Sequence, residues 1–193
     1  MRRALIALGA VALAAVVVIG LISAGGSGGD ETGPRAGIAQ RTERALRGSP
    51  APLAALHQQA GDLLGGGADA FKERLGGLRG YPVVVNKWAS WCGPCRAEFP
   101  YFQDQTLKHG RRIAFLGVNS VDNDGDARRF LRSFPVPYPH YRDPDSEVAR
   151  VFHGVVAFPT TAFYDSHGEL AYVKQGGYRS EADLARDIAR YAK

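Results

Sequence analysis

The chain has 193 residues, 45% hydrophobic and 22% charged, enough for one domain with a real core. Its formal charge of +5, from 24 basic and 19 acidic residues, is a mild surplus without a basic cluster, which argues against a nucleic-acid surface. With two cysteines in all, the fold must be stable without structural disulfides.

In chain order, Arg2-Arg3 precedes the uncharged run Ala4 to Ile22, nineteen residues that nearly span a bilayer. Ser23-Ala24-Gly25-Gly26 is only a weak cleavage site, and the absence of a following cysteine excludes a lipoprotein anchor. The run reads as an uncleaved signal anchor over residues 1–24, with a cleaved signal peptide as the alternative. The arginines stay cytoplasmic, which puts the rest outside the membrane. Residues 25–50, rich in Gly, Ser, Pro and charge, read as a flexible linker, and residues 51–193 as one domain.

Within that domain, Pro52–Leu64 and Ala68–Leu78 have apolar residues at helical spacing, separated by Gly65-Gly66-Gly67. Pro82–Trp88 reads as a buried strand, Cys92 to about Lys108 as a helix containing Pro100, and Arg112–Asn119 as a second central strand. Asp126–Phe134 is a helix stopped by Pro135-Val136-Pro137, Tyr138–Tyr141 a short strand, and Asp145–Phe152 a short helix. Thr161–Tyr164 and Glu169–Lys174 make a hairpin across Asp165-Ser166-His167-Gly168. Gly176-Gly177 breaks the chain, and Ser180 caps a last helix. This order argues for an α/β fold, a central mixed sheet flanked by helices.

The chemistry lies at Trp91-Cys92-Gly93-Pro94-Cys95, which holds both cysteines at a strand-to-helix junction. At a helix N-terminus, unpaired N–H groups and the dipole favour a thiolate on Cys92. That thiolate attacks a partner disulfide, and Cys95, one turn deeper, resolves the mixed disulfide. Pro94 fits the helix start, and Trp91 covers one side of the sulfur. A zinc site lacks further ligands, a c-type haem site would need His where Arg96 stands, and a static disulfide would close only a four-residue loop. No cofactor beyond the Cys92–Cys95 pair is called for, and no metal.

The run from Val83 to Pro100, with Phe158-Pro159-Thr160, resembles the thioredoxin superfamily. More narrowly it resembles the membrane-anchored, extracytoplasmic TlpA/ResA-like thiol–disulfide oxidoreductases, over roughly residues 80–193. The resemblance implies a thioredoxin-like fold, with Cys92 attacking and Cys95 resolving. It also implies a cis-proline at Pro159 facing the disulfide and a substrate contact made by Trp91, Gly93, Pro94, Phe158, Pro159 and Thr160. Glu98, three residues after Cys95, matches an acidic residue that moves the thiol proton; the plainer alternative is a solvated helix glutamate. Two positions depart from thioredoxin. Asn86 replaces a buried aspartate and cannot carry a proton, and Lys87 replaces an aromatic and either snorkels to solvent or faces the insertion.

The expected function is a membrane-tethered reductase of protein disulfides, because Gly-Pro between the cysteines is the thioredoxin dipeptide. By resemblance, its partners are protein thiols and disulfides, including apocytochrome c haem-site cysteines, and a membrane thiol electron donor; nucleic acid is not among them. The alternatives are a thiol oxidant of exported proteins and a copper chaperone using both thiolates with His153. His57, His109, His140 and His167 are otherwise scattered.

Overall fold

The computed structural model describes residues 34–193; the expected anchor (1–24) and the first part of the expected linker (25–33) lie outside the described residues. Among the described residues no helix is long and apolar enough to cross a membrane. The chain divides into two units, Met1–Gln40 and Arg41–Lys193. Of the first, only residues 34–40 are described, and they are helical. Helix α1 (Pro34–Leu46) thus occupies part of the expected linker. Proline stands at its first position, and Ala, Gln, Arg and Glu, all good helix formers, follow.

The second unit is built on a sheet whose strands run in the spatial order β1 (Leu63–Leu64), β4 (His140–Asp143), β3 (Ala114–Ser120), β2 (Val83–Trp88), β5 (Thr160–Tyr164), β6 (Leu170–Gln175). The pairs β1·β4, β4·β3 and β3·β2 are parallel, whereas β5 lies antiparallel to β2 and to β6, so the sheet is mixed, as expected. Every residue of β2 and of β3 is buried, as central strands between two helical layers require.

Alternation along β2 assigns the two faces. Val84 and Trp88 join the first core with Phe99 and Phe102 of α4 (Gly93–His109), Phe130 of α5 (Asp124–Ser133), and Leu184 and Ile188 of α7 (Glu181–Tyr191). Val83 and Val85 join the second core with Leu53 and Leu56 of α2 (Ala51–Gln58), Phe71 of α3 (Gly67–Gly77) and Val148 of α6 (Glu147–Val151). Each fully buried large apolar side chain contributes about 1.5–3 kcal/mol to the folded state.

The helix expected over Pro52–Leu64 ends early, at Gln58. Gly61 takes a left-handed φ of 74°, its N–H donates to Tyr138 O at 3.0 Å, and Leu63-Leu64 pairs with His140 and Tyr141 as an edge strand. The strand expected over Tyr138–Tyr141 is displaced to His140–Asp143 by Pro139, which has no N–H to give a ladder. The predicted cap forms: Ser180 Oγ accepts from Asp183 N–H at 3.2 Å.

Candidate active site

Parallel pairing of β2 with β3 fixes the geometry. Trp88 is level with Asn119, so the turns that follow both strands lie side by side. From this corner α4 departs with Cys92 as its N-cap, and Gly93 and Pro94 open its first turn. Cys92 and Cys95 are joined in a disulfide, Cα to Cα 5.3 Å, and both are buried. Cys95 N–H donates to Cys92 Sγ at 3.1 Å. That donor and the helix dipole favour negative charge on Cys92 once the bond is reduced.

The peptide bond between Phe158 and Pro159 is cis, the geometry expected of Pro159. The turn that follows β6 approaches here. A Cβ built on Gly177 would stand 3.5 Å from Pro94 Cβ, 3.6 Å from Pro159 Cγ and 3.7 Å from Glu98 Oε2. Gly177 therefore faces the helix start, the cis-proline and the acid together. Thr160 Oγ donates to Ala157 O at 2.8 Å and ties the ends of the short turn around Pro159.

Glu98 is fully buried on the first face, which removes its reading as a solvated helix residue. Its Oε1 accepts from Asn86 Nδ2 at 2.8 Å and its Oε2 from Tyr178 N–H at 3.1 Å. Burial pushes the carboxyl up to about 7; the two hydrogen bonds and the charge of Lys174 oppose this without cancelling it. Lys174 Nζ itself is held by Gly176 O at 2.6 Å and Gly177 O at 3.1 Å, and lies 4.5 Å over the Tyr178 ring. Asn86 suits both states of the acid. Its amide N–H binds the carboxylate, and its Oδ1, which has no partner, would accept from the neutral carboxyl after an amide flip.

Trp91 is 59% exposed. Its indole N–H donates to Val121 O at 2.9 Å, and its ring meets Phe158 at 4.8 Å. Val121 holds a left-handed φ of 52°, uncommon for a β-branched residue, and Asp122 fixes the turn behind it. Asp122 Oδ2 accepts from Ser90 N–H at 2.6 Å and Asn119 Nδ2 at 2.8 Å, and Oδ1 from Ser90 Oγ at 2.8 Å and Asn123 N–H at 2.9 Å. Exposed Val121, Val155 and Val156, with half-buried Phe158, complete an apolar rim on this side of the molecule.

Lys87 does not snorkel. It is completely buried, on the second face, and its ammonium is spent on the loop before Pro159. His153, the expected copper ligand, is exposed on a turn with φ 57°. Among the described residues no group of three or more His, Cys, Asp or Glu stands together to hold a metal ion. His140 is buried beneath Gly117, accepts from Trp88 Nε1 at 3.0 Å, and is driven down to about 3 by burial.

Sequence reasoning missed Asp122 and the Lys174–Tyr178 turn. Parallel register between β2 and β3 was the signal for the first, and Gly176-Gly177, a place where backbone approaches closely, for the second.

A family model described as the AhpC/TSA family matches residues 50–173. ResA, a thiol-disulfide oxidoreductase of Bacillus subtilis (strain 168), is 32% identical over 104 residues, 53% of this chain and 57% of that protein. The thiol:disulfide interchange protein DsbE of Pseudomonas fluorescens biotype C is 35% identical over 94 residues, 48% of this chain and 51% of that one. Among solved structures, MTB dsbF in mixed oxidized and reduced forms superposes with a TM-score of 0.54 at 32% identity, covering 58% of this chain and 82% of that chain. The chain thus spans a little over half the length of the curated relatives it matches.

Proposed function

The chain belongs to the AhpC/TSA family, a thioredoxin-like group, and on that premise we propose that it is a thiol–disulfide oxidoreductase that reduces protein disulfides. The observation that carries this reading is the Cys92–Cys95 pair at the start of α4, with the cis bond before Pro159 and the buried acid Glu98 meeting beside it at Gly177. Cys92 thiolate attacks one sulfur of the substrate disulfide and releases the other as a thiolate. Cys95 then gives its proton to Glu98 and attacks Cys92 Sγ, which frees the second substrate sulfur. Two electrons pass to the substrate and the Cys92–Cys95 disulfide remains. A carboxyl titrating at about 7 suits that proton transfer at neutral pH. Trp91, Gly93, Pro94, Phe158, Pro159 and Thr160 would flank the bound peptide, with the valine rim meeting its apolar side chains.

The uncharged run Ala4 to Ile22 supports a single-pass anchor with the catalytic domain outside the cytoplasm. In that setting the dithiol needs a membrane thiol donor to regenerate it. Resemblance to the ResA-like group extends the substrates to the haem-site cysteines of apocytochromes c. No cofactor other than the cysteine pair enters this scheme. The test is the reduction potential of the Cys92–Cys95 pair in the full chain, by equilibration with glutathione or dithiothreitol. A value near thioredoxin's, about −270 mV, supports a reductase; one near about −120 mV makes it an oxidant and overturns the direction proposed.

A further inference from the structure

A lysine within a fully buried strand is costly unless its ammonium is satisfied. Lys87 lies level with Thr160 of β5, and its Nζ donates to Gly154 O at 2.5 Å and Val155 O at 3.3 Å. The same nitrogen stands 3.8 Å from the centre of the Phe158 ring. All these contacts fall on one short segment, Gly154 to Phe158, which leads directly into the cis bond.

That segment is tied at its two ends by other bonds. Gly154 N–H donates to Ala149 O at 2.8 Å, and Ala157 O accepts from Thr160 Oγ at 2.8 Å. Lys87 adds a hold at Gly154 O and Val155 O, just before the stretch where Val155 and Val156 face solvent. The nearby carboxylate, Asp143, is occupied elsewhere: it accepts from Ser120 Oγ at 2.5 Å, Val148 N–H at 2.8 Å and Ala149 N–H at 3.0 Å. The ammonium is thus left to the carbonyls and the ring. Burial lowers Lys87 to about 8, with the Asp143 charge opposing, so it is mostly protonated at neutral pH.

We propose that Lys87 is a positioning residue for substrate binding: its buried ammonium clamps the Gly154–Phe158 segment and, through Phe158, seats Trp91 beside the disulfide. The link to Trp91 is the 4.8 Å ring contact. Lys87 touches neither sulfur nor substrate, so its effect falls on binding of a protein substrate and not on the redox couple.

This inference rests on the reading of the chain as a thiol–disulfide oxidoreductase, and the probe is insulin reduction by the full chain with dithiothreitol as donor. Lys87→Met keeps the length and volume of the side chain and removes its donors. Its KM for insulin is expected to rise about ten-fold, with kcat held within about two-fold. Exchange of the Gly154 amide, which is bonded to Ala149 O, accelerates, and the reduction potential stays at the parent value. Lys87→Arg, which keeps charge and donors, restores much of the lost affinity and protection. A parent chain that fails to reduce insulin defeats the oxidoreductase reading, and the inference with it. An active parent whose Met variant matches it in KM and in exchange, or whose Met and Arg variants behave alike, overturns the inference alone.

Discussion

Asn86 and Lys87 are neighbours on β2 and point to opposite faces of the sheet, and the two faces handle buried charge differently. On the first face, Asn86 binds a carboxyl that burial has moved to about 7, so Glu98 stands half-ionised near neutral pH. On the second, burial moves Lys87 only to about 8, so it keeps its proton and binds backbone. Desolvation drives both groups toward neutrality. One arrives at a value suited to proton exchange and the other stays mostly protonated at neutral pH. The first face is equipped for the chemistry and the second for holding the loop opposite it.

The largest effect that separates the faces comes from the sulfurs. Cys92→Ala should lower disulfide reduction by about a thousand-fold or more, and Cys95→Ala should accumulate mixed disulfides on Cys92, visible on non-reducing gels. Equal trapping by both variants would break the assignment of attacking and resolving roles. Next comes packing on the first face. A Cβ on Gly117 would fall 1.8 Å from His140 Nδ1, in a site already filled by Trp88 and Phe99. Gly117→Ala should therefore cost about 3 kcal/mol in urea unfolding. Full stability in this variant would show that His140 has room to move.

Glu98→Gln tests the proton exchange itself. Turnover should fall about a hundred-fold at neutral pH, and the rise of the parent's rate through pH 7 should disappear. Stability should move the other way. The folded-state value of about 7 lies above the ordinary 4.5, so the stability carried by the neutral acid is complete below about pH 4.5 and lost as pH rises through about 7. Buried His140, held at about 3, contributes the opposite slope in both proteins, so Glu98 is read as a difference: relative to the Gln variant, the parent should lose up to about 3 kcal/mol across that window. Chemical denaturation at pH 4.5 and pH 8 reads the difference. Parallel slopes would return Glu98 to a structural role.

The first face was the more legible in sequence. Cys92 and Cys95 are local signals, set by spacing along one helix, while Glu98 and Pro159 came through the resemblance to a known family. The last helix was likewise readable from Ser180 and its apolar stripe. What sequence hid depends on contacts distant along the chain. Leu63-Leu64 reads as the end of a helix because its strand character exists only through His140 and Tyr141. Lys87 had no settled place in sequence because its partners, Gly154 and Val155, are 67 and 68 positions away. The Tyr178 N–H on Glu98 reaches across 80. Periodicity reports which face a residue occupies and is silent on what meets it there.

The smallest expected effect concerns the turn after β3, where Asp122 binds the turn that carries Trp91. Each of its oxygens accepts from two donors: Oδ2 from Ser90 N–H and Asn119 Nδ2, Oδ1 from Ser90 Oγ and Asn123 N–H. Asp122→Asn keeps the shape and replaces one acceptor by an NH₂ that faces two donors. The partners are partly solvated, so water takes up some of the loss, and destabilisation of about 1 kcal/mol is expected, a fall of roughly 2–4 °C in Tm. The functional consequence should be selective. Trp91 N–H is held by Val121 O, in the residue before Asp122, so loosening this turn frees the indole without moving either cysteine. Acrylamide quenching of Trp91 should increase while the reduction potential holds. An unchanged quenching profile would show that Phe158 alone seats the indole, and would assign that side of the disulfide wholly to the second face.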